Sequence, residues 1–387
     1  MAKEKEKIGK CFKLQKNASS KTTFERVERS MKFKKNSVLL LVFMLMMSVV
    51  LAACGNGGSS TDSTGNAAAD NTSSNTPQKL TKVSVQLKWV PQAQFAGVYV
   101  AKAKGFFADE GIDVDIHPGG PDVIIEQQVV NGSADIGITG VDSLLVNQEH
   151  GLPIVSIAQI LQKSSQLLMT KTKSGIDTPE KMTGKRVGNQ GGSQQFQLLS
   201  FLDKYGMSAK NVQLVKQGFT MDQFLNDQLD VAMGAIFNEY HVILENGYKP
   251  EDLKTYSFGD AGVGMLEDVL IAKKDWLADN RDLAVRTTRA ILKGWQYAIA
   301  NQPEAIDIVM NEIAKGSSTR EHQETMLLEI AKLILPPGSQ ASSLGQIDPA
   351  AYQNTVNIAE KYGIVKNKVD LTKVYDKTIA EDAAKGL

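Results

Sequence analysis

Several groups of residues in this 387-residue chain have the types and spacing to hold a small molecule. Trp89 stands among Lys88, Pro91, Gln92 and Gln94, which pairs one large aromatic face with an ammonium and two amides. A flat heterocycle stacks well on such a face. Asn238-Glu239 follows an apolar run at 231–236. A carboxylate there can accept N–H bonds from the edge of a ligand. The same pair also reads as a helix start, with Asn as the cap and Glu favoured by the helix dipole. The run Gly188-Asn189-Gln190-Gly191-Gly192-Ser193-Gln194 ends an apolar strand pattern and opens a helical one. Its glycines let backbone N–H groups converge on an anion or a carbonyl, with Gln190 and Ser193 as the side chains on offer. No Gly-Lys-Ser/Thr follows, so it is not a phosphate-binding P-loop. Asp142-Ser143, after Gly140, reads equally as a ligand contact or a helix cap.

Reaction chemistry finds less support. His117, His150, His241 and His322 are scattered, with no pair at metal-ligand spacing. His117 falls on a solvent-facing strand position, and the other three read as surface residues. Acidic pairs such as Asp109-Glu110 and Glu267-Asp268 read as solvated faces. No Gly-x-Ser-x-Gly is present. Neither a metal nor a cofactor is expected.

The elements that must position these residues alternate. Strands are expected at 83–87, 112–116, 134–139 and 154–159, with helices at 92–104, 122–131 and 143–150 between them. A second cycle places strands at 185–188, 212–215 and 231–236 and helices at 193–205 and 221–228. A strand at 269–272 returns to the first unit, and from 275 onward the chain is mainly helical, most clearly at 281–301 and 303–315. Such alternation predicts an α/β fold of mostly parallel sheets flanked by helices. About 300 residues suit two lobes. The expected division is 80–170 with 266–387 for lobe one and 171–265 for lobe two. Ligands of such folds sit at the carboxyl ends of strands and between lobes.

The N-terminus reads differently. Met31-Lys32-Phe33-Lys34-Lys35 precedes an apolar segment at 38–53 that ends Leu51-Ala52-Ala53-Cys54. A basic start, a short apolar stretch and small residues before the cut describe an export signal, too short to span a membrane. The final residues resemble a bacterial lipobox, which makes Cys54 the expected lipidated first residue of the mature chain on the extracytoplasmic face of the cell membrane. Residues 1–30 are polar and precede a complete signal, so they read as a start-codon extension ahead of Met31. Cys11 is then lost, leaving no second thiol for a disulfide, a Cys metal site or an iron–sulfur cluster. Residues 54–79 read as a flexible tether of Gly, Ser, Thr, Asn and Ala. The chain has 43 Lys/Arg and 43 Asp/Glu; residues 1–53 hold 12 and 4 of them, so residues 54–387 carry 31 against 39, a net of −8. That balance argues against nucleic acid as a partner.

Residues 87–114, LKWVPQAQFAGVYVAKAKGFFADEGIDV, carry a denser signature. They resemble the thiamin-pyrimidine superfamily of periplasmic binding proteins, in which a strand ends in Trp, a Pro follows, and a helix leads to A-x-x-K-G-[FY]-[FY]-x-x-x-G-[LI]-[DE]-V. Pro118-Gly119-Gly120-Pro121-Asp122, Asn131 to Ile138, Gly184 to Gly188 and Asp230 to Glu239 match further family features. The resemblance covers about 83–300. It implies a two-lobed type II binding-protein fold, a substrate-binding lipoprotein of an ABC importer acting as a monomer, and a permease with its ATPase as partners. Its implied ligand is a thiamin pyrimidine precursor or a riboflavin-like heterocycle, with Trp89, Gln92, Gln94, Asp142, Gln190, Ser193, Asn238 and Glu239 as contacts. Binders of oxyanions such as alkanesulfonates and nitrate share that fold, but lobe two offers Glu239 and no Arg near the site. Fungal members are pyrimidine synthases that need a Lys, a His and a cysteine-rich iron motif. Those positions fall here on Thr139, on Ser143 and in the cysteine-free run Gly262 to Glu267.

Overall fold

The computed structural model describes residues 79–191 and 194–387; the expected signal, Cys54, the tether up to residue 78 and Ser193 lie outside them. In chain order, β1 (Thr81–Gln86) leads through a 3₁₀ turn at Ala93–Phe95 into α1 (Ala96–Ala103) and α2 (Phe106–Asp109). Then come β2 (Ile112–His117), α3 (Ile125–Val130), β3 (Ile136–Thr139), α4 (Val141–Glu149) and β4 (Ile154–Gln159). The chain crosses over and continues with β5 (Gln166–Lys171), β6 (Arg186–Asn189), α5 (Gln194–Lys204), β7 (Gln213–Lys216), α6 (Asp222–Leu225), β8 (Val231–Ala235), α7 (Glu239–Glu245) and β9 (Leu253–Ser257). It returns as β10 (Val269–Lys273). The remainder is helical: α8 (Lys274–Asp279), α9 (Arg281–Ala300), α10 (Gln302–Glu312), α11 (Arg320–Ile334), α12 (Pro349–Lys361) and α13 (Lys377–Ala384). No helix among the described residues is long and apolar enough to cross a membrane.

Each lobe is built on one five-stranded sheet, in the orders β2-β1-β3-β10-β4 and β7-β6-β8-β5-β9. The sheets are mixed rather than uniformly parallel. β10 runs antiparallel to both β3 and β4, and β5 runs antiparallel to both β8 and β9. These reversed strands are the ones that enter each sheet from the other lobe. β5 pairs in the second sheet although it begins at Gln166, so the chain crosses several residues before the expected boundary at 171. Both faces of each sheet are covered. Along β10, Val269 and Ile271 point into one core while Leu270 and Ala272 point into the other. In the second sheet Leu168, Val231 and Met233 face Phe201 and Phe258, while Leu167, Met169 and Ala232 face Phe224 and Ile243. Strands covered on both sides read as continuous apolar runs, as β5 does.

Two close approaches set where the lobe-one elements lie. α1 and α9 meet at Gly97 and Gly294: a Cβ on Gly294 would fall on the Gly97 carbonyl oxygen, and one on Gly97 would enter the Trp295 ring. At the other, Gly119 of the Pro-Gly-Gly-Pro run lies so near the backbone of Leu87 to Trp89 that a Cβ would overlap it, and its N–H donates to the Trp89 carbonyl at 2.9 Å. This loop thereby braces the segment that carries Trp89. For Gly294→Ala, alanine's better helix propensity is worth about 1 kcal/mol. The clash is with backbone and cannot be relieved by a rotamer, so a net loss of about 2 kcal/mol is expected. A urea titration measures it, and an unchanged or higher midpoint would contradict the packing argument.

Candidate functional site

The reversed strands bring the site together. β1, β3, β6 and β8 point their carboxyl ends at the space between the lobes, while β5 and β10, running the other way, start there. Trp89 and Asp142 therefore meet Gln190, Asn238 and Glu239 across one cleft, and Gln166 and Glu267 arrive from the starts of β5 and β10. The cleft comprises a chamber of ≈ 300 Å³ and an adjoining one of ≈ 80 Å³. Lys88, Trp89, Gln166, Gln190, Phe219 and Glu267 border both. Asp142 lines the larger; Gln92, Gln94, Asn238 and Glu239 line the smaller.

Trp89 is half-buried and faces Phe219 of the opposite lobe with ring centroids 4.8 Å apart at 58°. Phe219 is 52 % exposed. The two rings pack against each other from separate lobes, so a flat ring stacked between them would have to part them. Phe219 was not among the expected residues; its position just beyond the carboxyl end of β7 was the available signal.

Below the rings lies a buried charge cluster. The pair Glu267-Asp268, expected on a solvated face, is 5 % and 2 % exposed. Lys88 Nζ is 2.5 Å from Asp268 Oδ1. Burial alone would lower the pKa of this ammonium, but the charges of Asp268, Glu267 and Asp142 outweigh it and hold the pKa above the ordinary lysine value. Asp268 has φ 49°, a left-handed conformation in which Asp is one of the few tolerated side chains. Gln94 donates to both its carboxylate oxygens at 2.8 and 3.1 Å, and Gln92 donates to Gln94 Oε1 at 2.6 Å. Glu267 accepts from Ser165 N–H at 3.1 Å, Ser165 Oγ at 2.7 Å, Ser164 Oγ at 3.2 Å and Gln166 Nε2 at 3.3 Å. One carboxylate thus ties together the two segments that cross between lobes. Burial pushes its pKa up, against the pull of Lys88.

The remaining polar lining is also rich in acceptors. Glu126 Oε1 accepts from Thr139 Oγ1 at 2.5 Å and Ser143 Oγ at 2.7 Å. Asp142, in the first turn of α4, accepts from the Ser143 N–H at 2.8 Å. Glu239 accepts from the Ala235 N–H at 2.8 Å; burial raises its pKa, opposed by that bond and by the Gln190 amide. Gln166 Oε1 is buried without a hydrogen-bond partner. No arginine lines either chamber among the described residues, and no cluster of metal-ligating side chains occurs among them.

Two expectations are corrected. Asn238 precedes α7 but makes no side-chain cap; its Oδ1 instead faces His322 Nε2 at 3.0 Å. His322, expected at the surface, is 7 % exposed, and its Nδ1 lies 2.8 Å from Glu245 Oε1. The 188–194 loop lines the larger chamber through Gln190, Gly191 and Gln194, with Asn189 folded back onto the Gly191 N–H.

Comparison with known proteins agrees with this architecture. The chain is 26 % identical over 249 residues to the formylaminopyrimidine-binding protein of Halalkalibacterium halodurans, covering 63 % of this chain and 74 % of that one. It is 25 % identical over 315 residues to riboflavin-binding protein RibY of Chloroflexus aurantiacus, covering 78 % and 86 %. It is 28 % identical over 225 residues to the 4-amino-5-hydroxymethyl-2-methylpyrimidine phosphate synthase of Uromyces fabae, covering 55 % and 65 %. In structure it resembles the periplasmic aliphatic sulphonate binding protein SsuA of Escherichia coli (TM-score 0.57, 15 % identity, 76 % of this chain and 92 % of that one). It also resembles the periplasmic nitrate-binding protein NrtA of Synechocystis PCC 6803 (TM-score 0.58, 14 % identity, 80 % and 89 %). At these identities the structural matches establish the periplasmic-binding-protein fold. The sequence itself matches the NMT1/THI5-like family over residues 92–305, more than half its length, and the chain belongs to that family.

Proposed function

We propose that this chain is the substrate-binding lipoprotein of an ABC importer. In this reading it is tethered through Cys54 on the extracytoplasmic face. As a monomer it captures a small amino-substituted pyrimidine and passes it unchanged to a permease and its ATPase. The observation that carries this reading is the chemistry of the cleft lining. Glu126, Asp142, Glu239 and Glu267 border the chambers, and Lys88, the one cation among the described lining residues, is already committed to Asp268. A ligand for such a cleft must present hydrogen-bond donors. An amino-pyrimidine does so while offering a flat ring to Trp89 and Phe219.

The other ligand classes suit the lining less well. An oxyanion such as a sulfonate or nitrate would meet carboxylates with no uncommitted cation to offset them. An isoalloxazine edge offers two carbonyl acceptors around one N–H, the reverse of what an acceptor-rich wall requires. A chamber of ≈ 300 Å³ is also at the low end of the range for ligand pockets, which run from about 300 to 1,000 Å³, and favours a single ring over a tricycle with a side chain. The synthase reading is disfavoured by residue type. Where the resemblance puts the synthases' Lys and His, this chain has Thr139 and Ser143, both spent as donors to Glu126. No Schiff base can form at either.

A thermal-shift and calorimetric screen of the chain against a formylaminopyrimidine, riboflavin, an alkanesulfonate and nitrate tests the assignment. The pyrimidine should raise the melting temperature and be recovered chemically intact. Trp89→Ala should weaken its binding about tenfold or more, the range of one aromatic stacking contact. Stabilisation by sulfonate or nitrate alone, or turnover in the presence of pyridoxal phosphate and iron, would sink it.

Glu239→Gln gives a second test. A carboxyl whose folded pKa is raised lends stability that is complete below the unfolded value, near 4.5, and is lost as pH rises through the folded one. Glutamine has no such loss. The variant should match wild type near about pH 4 and become progressively more stable than it as pH rises, while binding the pyrimidine more weakly. Urea titrations across pH measure this, and a stability difference independent of pH would contradict it.

A further inference from the structure

The first turn of α11 touches both walls of the cleft through neighbouring residues. Gln323, 2 % exposed, accepts from the Ala93 N–H at 2.6 Å and donates to Ser318 Oγ at 2.9 Å. Ala93 opens the 3₁₀ turn of lobe one, directly between Gln92 and Gln94. His322, one residue earlier, reaches the other way to Asn238 and Glu245, at the two ends of α7 in lobe two. The body of α11 is fixed to lobe one, since Met326, Leu327, Ile330 and Ile334 share a core with Val83 and Val85 of β1. Phe237, the residue before Asn238, is buried in that same core although β8 belongs to the second sheet. A cavity of ≈ 760 Å³ lies beside these contacts and shares Gln92 and Asn238 with the smaller ligand chamber.

We infer that His322 is a positioning residue for the ligand site: with Gln323 it clasps the two walls of the cleft, in the empty protein as well as in the liganded one. Both ring nitrogens of His322 face oxygens in this arrangement, a carboxylate on one side and an amide on the other. An imidazole held at both nitrogens fixes its own plane and both partners. Holding Asn238 and Glu245 fixes α7 at its start and its end. Glu239, the first residue of α7, is thereby held against the Ala235 N–H with its carboxylate toward the cleft. The clasp makes no contact with the chambers through His322 itself, so its effect on binding is indirect and should appear in release more than in capture.

Glu245 is the clean partner for a test, because its side chain is 40 % exposed and it lines neither ligand chamber. Hydrogen exchange of the ligand-free full chain should show the amides of 239–245 exchanging about tenfold faster in both His322→Ala and Glu245→Ala, consistent with loss of a hydrogen bond to a charged group. The double variant should be no faster than His322→Ala alone, because the two residues share one interaction. Amides of β6 to β8 should be unchanged. Exchange of α7 within twofold of wild type, full additivity of the two substitutions, or acceleration spread evenly through lobe two would each overturn the clasp. The ligand arm rests on the pyrimidine reading. Stopped-flow with a formylaminopyrimidine should show release about tenfold faster in His322→Ala and capture within twofold; an equal change in capture would overturn the positioning role. If the pyrimidine fails to bind wild type, the ligand reading falls and the exchange measurement still decides the clasp.

Discussion

A carboxylate buried between two lobes is tolerable only if its charge is matched on the spot, and for Asp268 the half-buried Lys88 ammonium supplies that match. Much else at the cleft follows from it. Asp268 reaches Lys88 from a left-handed backbone position just before β10. Its second oxygen is covered by Gln94, which holds the turn after Trp89. Glu267, forced to the same place as its neighbour, finds its donors on Ser164, Ser165 and Gln166 at the opposite crossing. The end of β1, the return crossing into β10 and the outward crossing into β5 are thus joined through one set of charges. Removing Lys88 leaves the Asp268 carboxylate buried without its counter-charge, a loss of about 3 kcal/mol, whereas the 25 % exposed Lys88 could still be solvated if Asp268 were removed. The arrangement also engages Lys88, the one cation that borders the chambers among the described residues.

Much of lobe one was legible in the sequence. The alternation of Val83, Val85 and Leu87, and of Ile112, Val114 and Ile116, marks two strands with one face in the core, and β1 and β2 lie there, paired in parallel. Trp89 at the end of β1 and Glu239 after β8 were identifiable because strand ends are where such folds expose side chains. β5 and β9 were missed for different reasons. β5 carries Leu167, Leu168 and Met169 in a run buried on both sides, with no alternation to mark it. β9, Leu-Lys-Thr-Tyr-Ser, is an edge strand in which Leu253 alone is fully buried, so it carries little apolar signal.

The misread residues share a cause. Glu267-Asp268 looks solvated in isolation, since acidic side chains are rarely buried without partners. Its partner Lys88 lies far away in sequence and meets it only because β10 is inserted antiparallel between β3 and β4. His322 likewise gains burial and two partners only when α11 closes against α7. Gln166 becomes a cleft residue because β5 runs backward and so starts, rather than ends, at the cleft. Local pattern reports which residues belong to a strand. It does not report the strand's direction, and here direction decides which end faces the ligand.

The glutamines of the cleft show how buried carboxylates set the polarity of recognition. A free amide can offer either its NH₂ or its oxygen by rotating. Gln94 gives its NH₂ to Asp268, Gln166 gives its NH₂ to Glu267, and Gln190 is held by Glu239. The NH₂ of Gln94 meets both oxygens of Asp268, and that of Gln166 meets Glu267 and Ser165, so these two amides direct their donors inward. In Gln94 the oxygen is taken by Gln92, which passes the same polarity one residue further out. In Gln166 the oxygen is left unpartnered. The acidic cluster therefore acts twice, once through its own charge and once by orienting the neutral amides beside it.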